Sequence, residues 1–270
     1  MENTTSEKHD NRYDGFCNLC KQINESNISY FRGNTYFKSI VENVNSRFGL
    51  EYYKLLKNNY SDLLNKIDWK KIELLANIGN PISSKYTFNN NEYMLSHTIM
   101  RYLLFTMNIF SHIKNKTDIN KLNIIEIGGG FGFQAVLMYE LSNLFNIEVE
   151  KYTILDLKSV CNLQTNFIKQ CNKINNIDYL NFESTNYEDF KLDSNSNFVI
   201  SNYALGELNS HWQNLYIKNI LSKINHGYLC WNFSPKNPKI HSYFNSKPVI
   251  KEEEEPQTNT PPIKSYIVRY

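Results

Sequence analysis

Hydrophobic residues recur at helical spacing through the first 119 positions. Ile40, Val41, Val44, Phe48, Tyr52 and Leu55–Leu56 predict one helix over Tyr36–Leu56. Leu63, Leu64, Ile67, Leu74, Leu75 and Ile78 predict a second over Asp62–Ile78, stopped by Gly79 and Pro81. Tyr93–Ile113 is apolar almost all round, the pattern of a helix enclosed by other elements. Residues 1–14 are polar and read as a flexible tail, which leaves 15–119 as a helical cap or substrate-binding region.

The texture changes near Asn120, where short apolar runs begin to alternate with helical stretches. Strands are expected at Leu122–Ile127, Val149–Leu155, Tyr179–Phe182, Phe198–Ser201 and Gly227–Phe233. Between them, Phe133–Phe145, the segment carrying Val160, Leu163, Phe167, Ile168 and Cys171, and Trp212–Ile224 read as helices. Strands alternating with helices imply a parallel sheet covered on both faces. Pro248–Lys251 and Ile263–Arg269 are joined with no room for a helix, which predicts a terminal antiparallel hairpin. The run Glu252–Glu255 belongs to that connection and reads as solvated. Residues 120–270 are thus an α/β domain, Rossmann-like, with a seven-stranded, mostly parallel sheet.

Composition narrows the partners. The net charge is +2, from 29 Lys and Arg against 27 Asp and Glu, without the basic surplus of a nucleic-acid or membrane-surface binder. No apolar run approaches the roughly 20 residues of a membrane span. The polar N-terminus lacks the features of a secretory signal, so a cytoplasmic location is expected. Five cysteines, an odd number, agree with a reduced compartment. Cys17 and Cys20 form a lone C-x-x-C without the second pair that a zinc site needs.

The segment Ile124–Gln134 reads IIEIGGGFGFQ and follows the first strand, where doubly wound sheets bind nucleotides. Gly128, Gly129, Gly130 and Gly132 let backbone approach a ligand where any Cβ would collide. The dinucleotide fingerprint would need a small residue at Phe133, and such sites carry an apolar residue where Glu126 stands. That disfavours a nicotinamide-dependent sugar-nucleotide oxidoreductase. S-adenosylmethionine has a cationic amino group and a sulfonium, for which an acidic residue at the strand end is suited. Asp156 closes the next strand, where a carboxylate can accept both ribose hydroxyls or cap the following helix.

The series EIGGGFG, YTILDL, FVISNYALGEL and GYLCWN resembles the sugar O-methyltransferase family, whose members occur in glycan gene clusters. Ser201, Asn202, Tyr203, Ala204, Glu207 and Leu208 match its S-N-Y-A-x-x-E-L segment. The stretch YFRGNTYFKSIVENV and the set Gly79–Pro81, Ser96 and Arg101–Tyr102 are also similar, so the likeness spans roughly residues 30–235. It implies a class I methyltransferase fold, S-adenosyl-L-methionine as cofactor, and a sugar or nucleotide-sugar acceptor. A methyltransferase-like scaffold without turnover is the non-enzymatic alternative; Glu126, Gly128, Gly130 and Asp156, all present, oppose it.

Cofactor contacts are accordingly expected from Glu126, Gly128, Gly129, Gly130, Gln134, Asp156, Leu157, Glu183, Ser184 and Asn202, with Tyr187–Asp189 as a later choice for the adenine. A sugar hydroxyl is a poor nucleophile, so a general base is required; Glu207 and His211, after the fourth strand, are the candidates. Tyr203, His97 and Arg101 are candidates for acceptor binding, and Arg32, Lys85 and Arg101 for a nucleotide-sugar's phosphates. An arginine in an apolar helix also pairs with buried carboxylates, and His97, one turn before Arg101, suits a pocket wall or a polar core pair equally. No clustered Asp/Glu set resembles a metal site, so no metal is assigned. The N-terminal helices could cover the active site or build a homodimer interface. SNYA in place of N/D-P-P-F/Y favours oxygen over a base nitrogen as methyl acceptor.

Overall fold

The computed structural model describes residues 11–116, 118–176, 181–232, 243–244, 249–258 and 264–270. The cap opens with α1 (Asn11–Gln22), followed by α2 (Thr35–Ile40), α3 (Ser46–Leu64) and α4 (Trp69–Ala76). A hairpin of β1 (Ser84–Phe88) and β2 (Asn91–Leu95) precedes the long α5 (His97–Lys116). The sheet domain then runs β3 (Lys121–Ile127), α6 (Phe133–Leu141), β4 (Glu148–Leu155), α7 (Lys158–Asn175), β5 (Phe182–Thr185) and β6 (Phe198–Asn202). It ends with α8 (Ala204–Glu207), α9 (Ser210–Tyr216), β7 (Gly227–Asn232), β8 (Ile250–Glu253) and β9 (Ser265–Arg269).

Several cap boundaries differ from the sequence reading, for one reason. The helix expected over Tyr36–Leu56 is divided between α2 and α3, and that over Asp62–Ile78 between α3 and α4. Each new helix starts on its own side-chain cap: Asn34 accepts from the Tyr36 N–H, Asn45 from Phe48 and Asp68 from Lys71. Apolar spacing resumes after each break, so periodicity alone runs through it. The third expected helix, Tyr93–Ile113, loses its start to β2. Asn89 and Asn90 both hold positive φ, 50° and 60°, and make the two-residue turn of the hairpin. The expected tail also changes: helix α1 begins at Asn11 and buries Phe16, Cys17 and Cys20, while residues 1–10 are outside the described set.

The described strands form a seven-stranded sheet in the order β5-β4-β3-β6-β7-β9-β8. Contacts from β5 through β7 are parallel, and β9 is antiparallel to both β7 and β8. This is the expected Rossmann-like, mostly parallel sheet with its terminal antiparallel hairpin. Of the expected strand residues, Tyr179, Leu180, Phe233, Pro248 and Ile263 lie outside the described residues. The helix expected over Trp212–Ile224 begins earlier, at Ser210, and its second half is a π-turn at Ile217–Leu221.

Strand alternation divides the core into two. Leu122 and Ile124 of β3, Phe198 and Ile200 of β6, and Tyr228 and Cys230 of β7 face the cap and join its apolar cluster. Ile125, Ile127, Val199, Leu229 and Trp231 face the opposite side with Ile220 and Leu221. By the same period of two, Glu126 and Asn202 project toward the cap. Glu126 lies in register between Ile154 of β4 and Ile200 of β6.

Candidate functional site

The chain leaves β3 toward β4 and β5 on one side and returns to β6 and β7 on the other. The crevice where the order reverses is the place such sheets bind ligands. A cavity of about 500 Å³ opens there, walled by Glu126, the glycine turn, Asp156 and Asn202 below and by cap residues above. Two glycines are required by geometry. Gly128 has φ +74°, and a Cβ on it would stand 2.1 Å from the Ala204 Cβ. Gly130 has φ +58°, with its Cβ direction blocked by the Tyr102 hydroxyl at 2.8 Å.

Glu126 is 1% exposed and accepts a 3.0 Å hydrogen bond from the Tyr152 hydroxyl. Its pKa is pushed up to about 8, mainly by burial, with the Tyr152 bond pulling down and the nearby Asp156 pushing up. Beside it, Asn202 donates to Gln134 at 3.3 Å, while its Oδ1 has no hydrogen-bond partner among the described residues. A buried acceptor without a donor is costly unless a ligand supplies one. Gln134 does not line the cavity: it is fully buried and donates to Thr106 at 2.6 Å, so it supports Asn202 from beneath.

Asp156 accepts from the Leu157 N–H at 2.8 Å and from Gln164 at 2.8 Å. Burial pushes its pKa up to about 6, against the lowering effect of these donors and the Gly129 N–H. Gln164 also donates to the Gly130 carbonyl at 3.0 Å and accepts from the Ser184 hydroxyl. One side chain therefore ties the glycine turn, the carboxylate and β5 together. The sequence reading missed it, although Gln164 stands four residues from the cavity-lining Val160 on the same face of α7. Ser184 joins the network through Gln164 and does not line the cavity. Glu183 is exposed, beside Lys151 at 3.8 Å, and does not line the cavity.

On the cap side, Tyr13 of α1 donates to Glu207 Oε2 at 2.8 Å, and both line the cavity. Glu207 is walled by protein yet remains reachable by solvent; burial raises its pKa, opposed by the Tyr13 bond and by Arg101 and Arg12. Arg101 donates to Asn43 at 3.2 Å and stands 5.3 Å over the Tyr203 ring. Tyr203 holds φ +70° and ψ −36°, a conformation that bulky residues avoid and that concentrates at functional positions. Its hydroxyl donates to Glu254, which also accepts from Thr258 at 2.7 Å.

Glu254 corrects the expectation of a solvated acidic run at Glu252–Glu255. It is 1% exposed, turned inward past the end of β8 by three hydroxyl donors, whereas Glu252 and Glu253 are exposed and pair with Arg269 and Lys264. Four further candidate residues are engaged elsewhere. His211 is exposed on α9, its ring against Trp212, and does not line the cavity. His97 takes the polar-core option: Nδ1 meets the Tyr86 hydroxyl at 2.7 Å and Nε2 that of Ser84 at 3.4 Å. Arg32, fully buried, pairs with Glu42 at 2.7 Å, donates to Ser96 and Ala76, and stacks over Phe131 at 4.7 Å. Lys85 is exposed and pairs with Glu92 at 2.8 Å. Of the three cations proposed to meet phosphates, only Arg101 reaches the cavity. Among the described residues no group of three or more His, Cys, Asp or Glu gathers, and no helix is long and apolar enough to cross a membrane.

No family model matches this sequence, and no curated protein matches it. Solved structures share its outline. Magnesium protoporphyrin IX methyltransferase from Synechocystis PCC 6803, with bound SAM, aligns over 84% of this chain and 98% of that one, at 11% identity and a TM-score of 0.44. An rRNA methylase from Streptococcus thermophilus covers 63% and 93%, at 12% identity and 0.41. Thermoplasma acidophilum 1320 covers 79% and 96%, at 15% identity and 0.40.

Proposed function

We propose that the chain is an S-adenosylmethionine-dependent O-methyltransferase acting on a sugar hydroxyl, whether free, nucleotide-linked or glycan-bound. The observation that carries this reading is one continuous cavity. A glycine turn, an acidic strand end and a second carboxylate line its sheet side together with Glu207 of α8, and tyrosine, asparagine and arginine side chains stand among apolar ones on its cap side.

The residues suit the cofactor's charge pattern. Glu126 and the unpaired Asn202 Oδ1 are two acceptors for its ammonium group, and Gly128 and Gly130 clear the backbone around it. Asp156, oriented by Leu157 and Gln164, keeps further lone pairs for ribose hydroxyls. When bound, S-adenosylmethionine supplies an electrophilic methyl group.

The chain's own task is to align an acceptor and take up its proton. Glu207 has Oε2 engaged by Tyr13 and leaves Oε1 for an acceptor hydroxyl. The surrounding protein raises its pKa, which makes it a stronger base than a free carboxylate. The cap roofs the cavity with Ile40, Val41, Asn43 and Phe48, which suits a small acceptor. The near balance of charge, +2 overall, disfavours a nucleic-acid acceptor.

The test combines calorimetry of S-adenosylhomocysteine with mass spectrometry of nucleotide-sugars and glycans incubated with labelled cofactor. S-adenosylhomocysteine binding and a mass gain of one methyl group are expected. Glu207→Gln lowers kcat by about 10²- to 10⁴-fold, the usual contribution of a general base, and leaves S-adenosylhomocysteine affinity within about twofold. A wild-type chain that binds no S-adenosylhomocysteine rules the proposal out.

A further inference from the structure

Two arginines of the cap stand near its junction with the sheet, and they are used differently. Arg32 is fully buried and satisfied: Glu42, Ser96 and the Ala76 carbonyl take its donors. Arg101, near the start of α5, is half-buried and lines the cavity. Its one hydrogen-bond partner among the described residues is a neutral amide, Asn43 at 3.2 Å, and its guanidinium carbon stands 5.3 Å over the Tyr203 ring. Asn43 and Tyr203 both line the cavity, so the charged end of the side chain lies between two of its walls. No carboxylate among the described residues forms an ion pair with it.

A guanidinium has five donors and no acceptor. Stacking on an aromatic ring uses its face and leaves the in-plane donors, which carboxylate and phosphate fit bidentately. A neutral amide does not compensate a cation drawn partly out of water, whereas an anion does. Among the described residues that line the cavity, Arg101 is the one lysine or arginine, set against the carboxylates of Glu126, Asp156 and Glu207. An anionic ligand group entering this cavity therefore has Arg101 as its partner.

Two anions of the proposed reaction could take that place: the cofactor's carboxylate and a group on the acceptor. The charges around Arg101 favour the second. Burial raises the Glu207 pKa, opposed by the Tyr13 bond and by the cations Arg101 and Arg12. Burial raises that of Glu126 too, but the charge it feels is that of Asp156. Arg101 thus acts on the residue offered to the acceptor hydroxyl, and not on the one offered to the cofactor's ammonium.

We infer that Arg101 is the anion-binding residue of the acceptor site, and that the sugar to be methylated carries a carboxylate or phosphate held by its guanidinium. This assignment rests on the methyltransferase reading and narrows its acceptor from sugars at large to acidic ones.

The full chain, saturated with S-adenosylhomocysteine, is titrated by saturation-transfer NMR with glucose, galactose and mannose, each as methyl glycoside, methyl glycosiduronic acid and sugar phosphate. The wild-type chain binds at least one acidic form about tenfold or more tightly than its neutral counterpart, the usual weight of a charge-assisted bond. The form preferred, uronic acid or phosphate, identifies the anion. Arg101→Gln brings acidic and neutral forms to within about twofold of each other, and Arg101→Lys, which keeps the charge without the fork, retains part of the preference. Each variant is also titrated with S-adenosylhomocysteine and with methylthioadenosine, which lacks the amino-acid carboxylate; both affinities stay within about twofold of wild type. The inference is overturned if the wild-type chain binds S-adenosylhomocysteine and prefers no acidic form, or if neither variant reduces the preference. It is also overturned if Arg101→Gln loses affinity for S-adenosylhomocysteine but not for methylthioadenosine, which would give Arg101 to the cofactor's carboxylate. A wild-type chain that fails to bind S-adenosylhomocysteine overturns the function reading as well.

Discussion

Glu126 carries a proton at neutral pH because burial costs its charged form more than the Tyr152 hydroxyl returns, which places its pKa at about 8. A cationic ammonium beside it favours the carboxylate, so binding expels that proton. The sign follows from linkage. Below about pH 8 the free protein holds a proton that the complex does not, so affinity rises with pH and levels off at about 8. S-adenosylhomocysteine affinity measured by calorimetry from pH 6 to 8.5 therefore increases, with a limiting slope of about tenfold per unit, and Glu126→Gln flattens the profile. Equal slopes in wild type and variant would remove Glu126 from the ammonium site. At this scale the legible residues were those contiguous with a motif: Glu126, the glycines and Asp156 occupy two short segments. Tyr13 lines the same cavity from α1, while Gln164 of α7 and Glu254 of the C-terminal hairpin hold the lining residues Asp156 and Tyr203 from behind, and no local spacing connects the three.

Among elements, the sheet strands were readable because each carries its own apolar run between breaks. The cap was harder. Asn34, Asn45 and Asp68 interrupt its helices without interrupting the apolar period, and asparagine is so frequent in the chain that its capping role does not stand out. Helix α1 shows what that conceals. It packs against α2 and α7, and Tyr13 extends from it over the carboxylates of Glu207 and Asp156. Helix α1 therefore forms part of the cavity wall through Tyr13 and Phe16, and a ligand in the cavity packs against it. Hydrogen exchange is expected to show faster opening at residues 11–22 in the free protein than in the strands beneath, with marked slowing on saturation with S-adenosylhomocysteine. Tyr13→Phe, which removes the latch to Glu207, raises exchange at the same residues. Exchange at residues 11–22 that is indifferent to ligand would mean that α1 is a fixed wall.

For the molecule as a whole, a change of texture near Asn120 separates cap from sheet in sequence, but the structure does not separate them in packing. One apolar cluster runs from Phe16 and Phe37 through Tyr52, Phe105 and Phe131 to Ile124, Ile200 and Tyr228. Arg32 reinforces the junction, since its buried guanidinium bonds Glu42, Ser96 and Ala76 within the cap and stacks on Phe131 of the glycine turn. A buried cation satisfied on several sides resists partial opening, because exposing any partner leaves the rest uncompensated. Cap and sheet are thus expected to unfold as one cooperative unit, and a ligand held between them stabilises both. At a hundredfold excess over Kd, linkage gives about 2.7 kcal/mol, and a chain of this size shifts by about 2–4 °C per kcal/mol. Scanning calorimetry should then show a single transition that moves up by about 5–10 °C with S-adenosylhomocysteine. Two transitions, with only the sheet's responding to ligand, would instead make the cap an independent unit, and the shared core would not be what couples the acceptor side to the cofactor side.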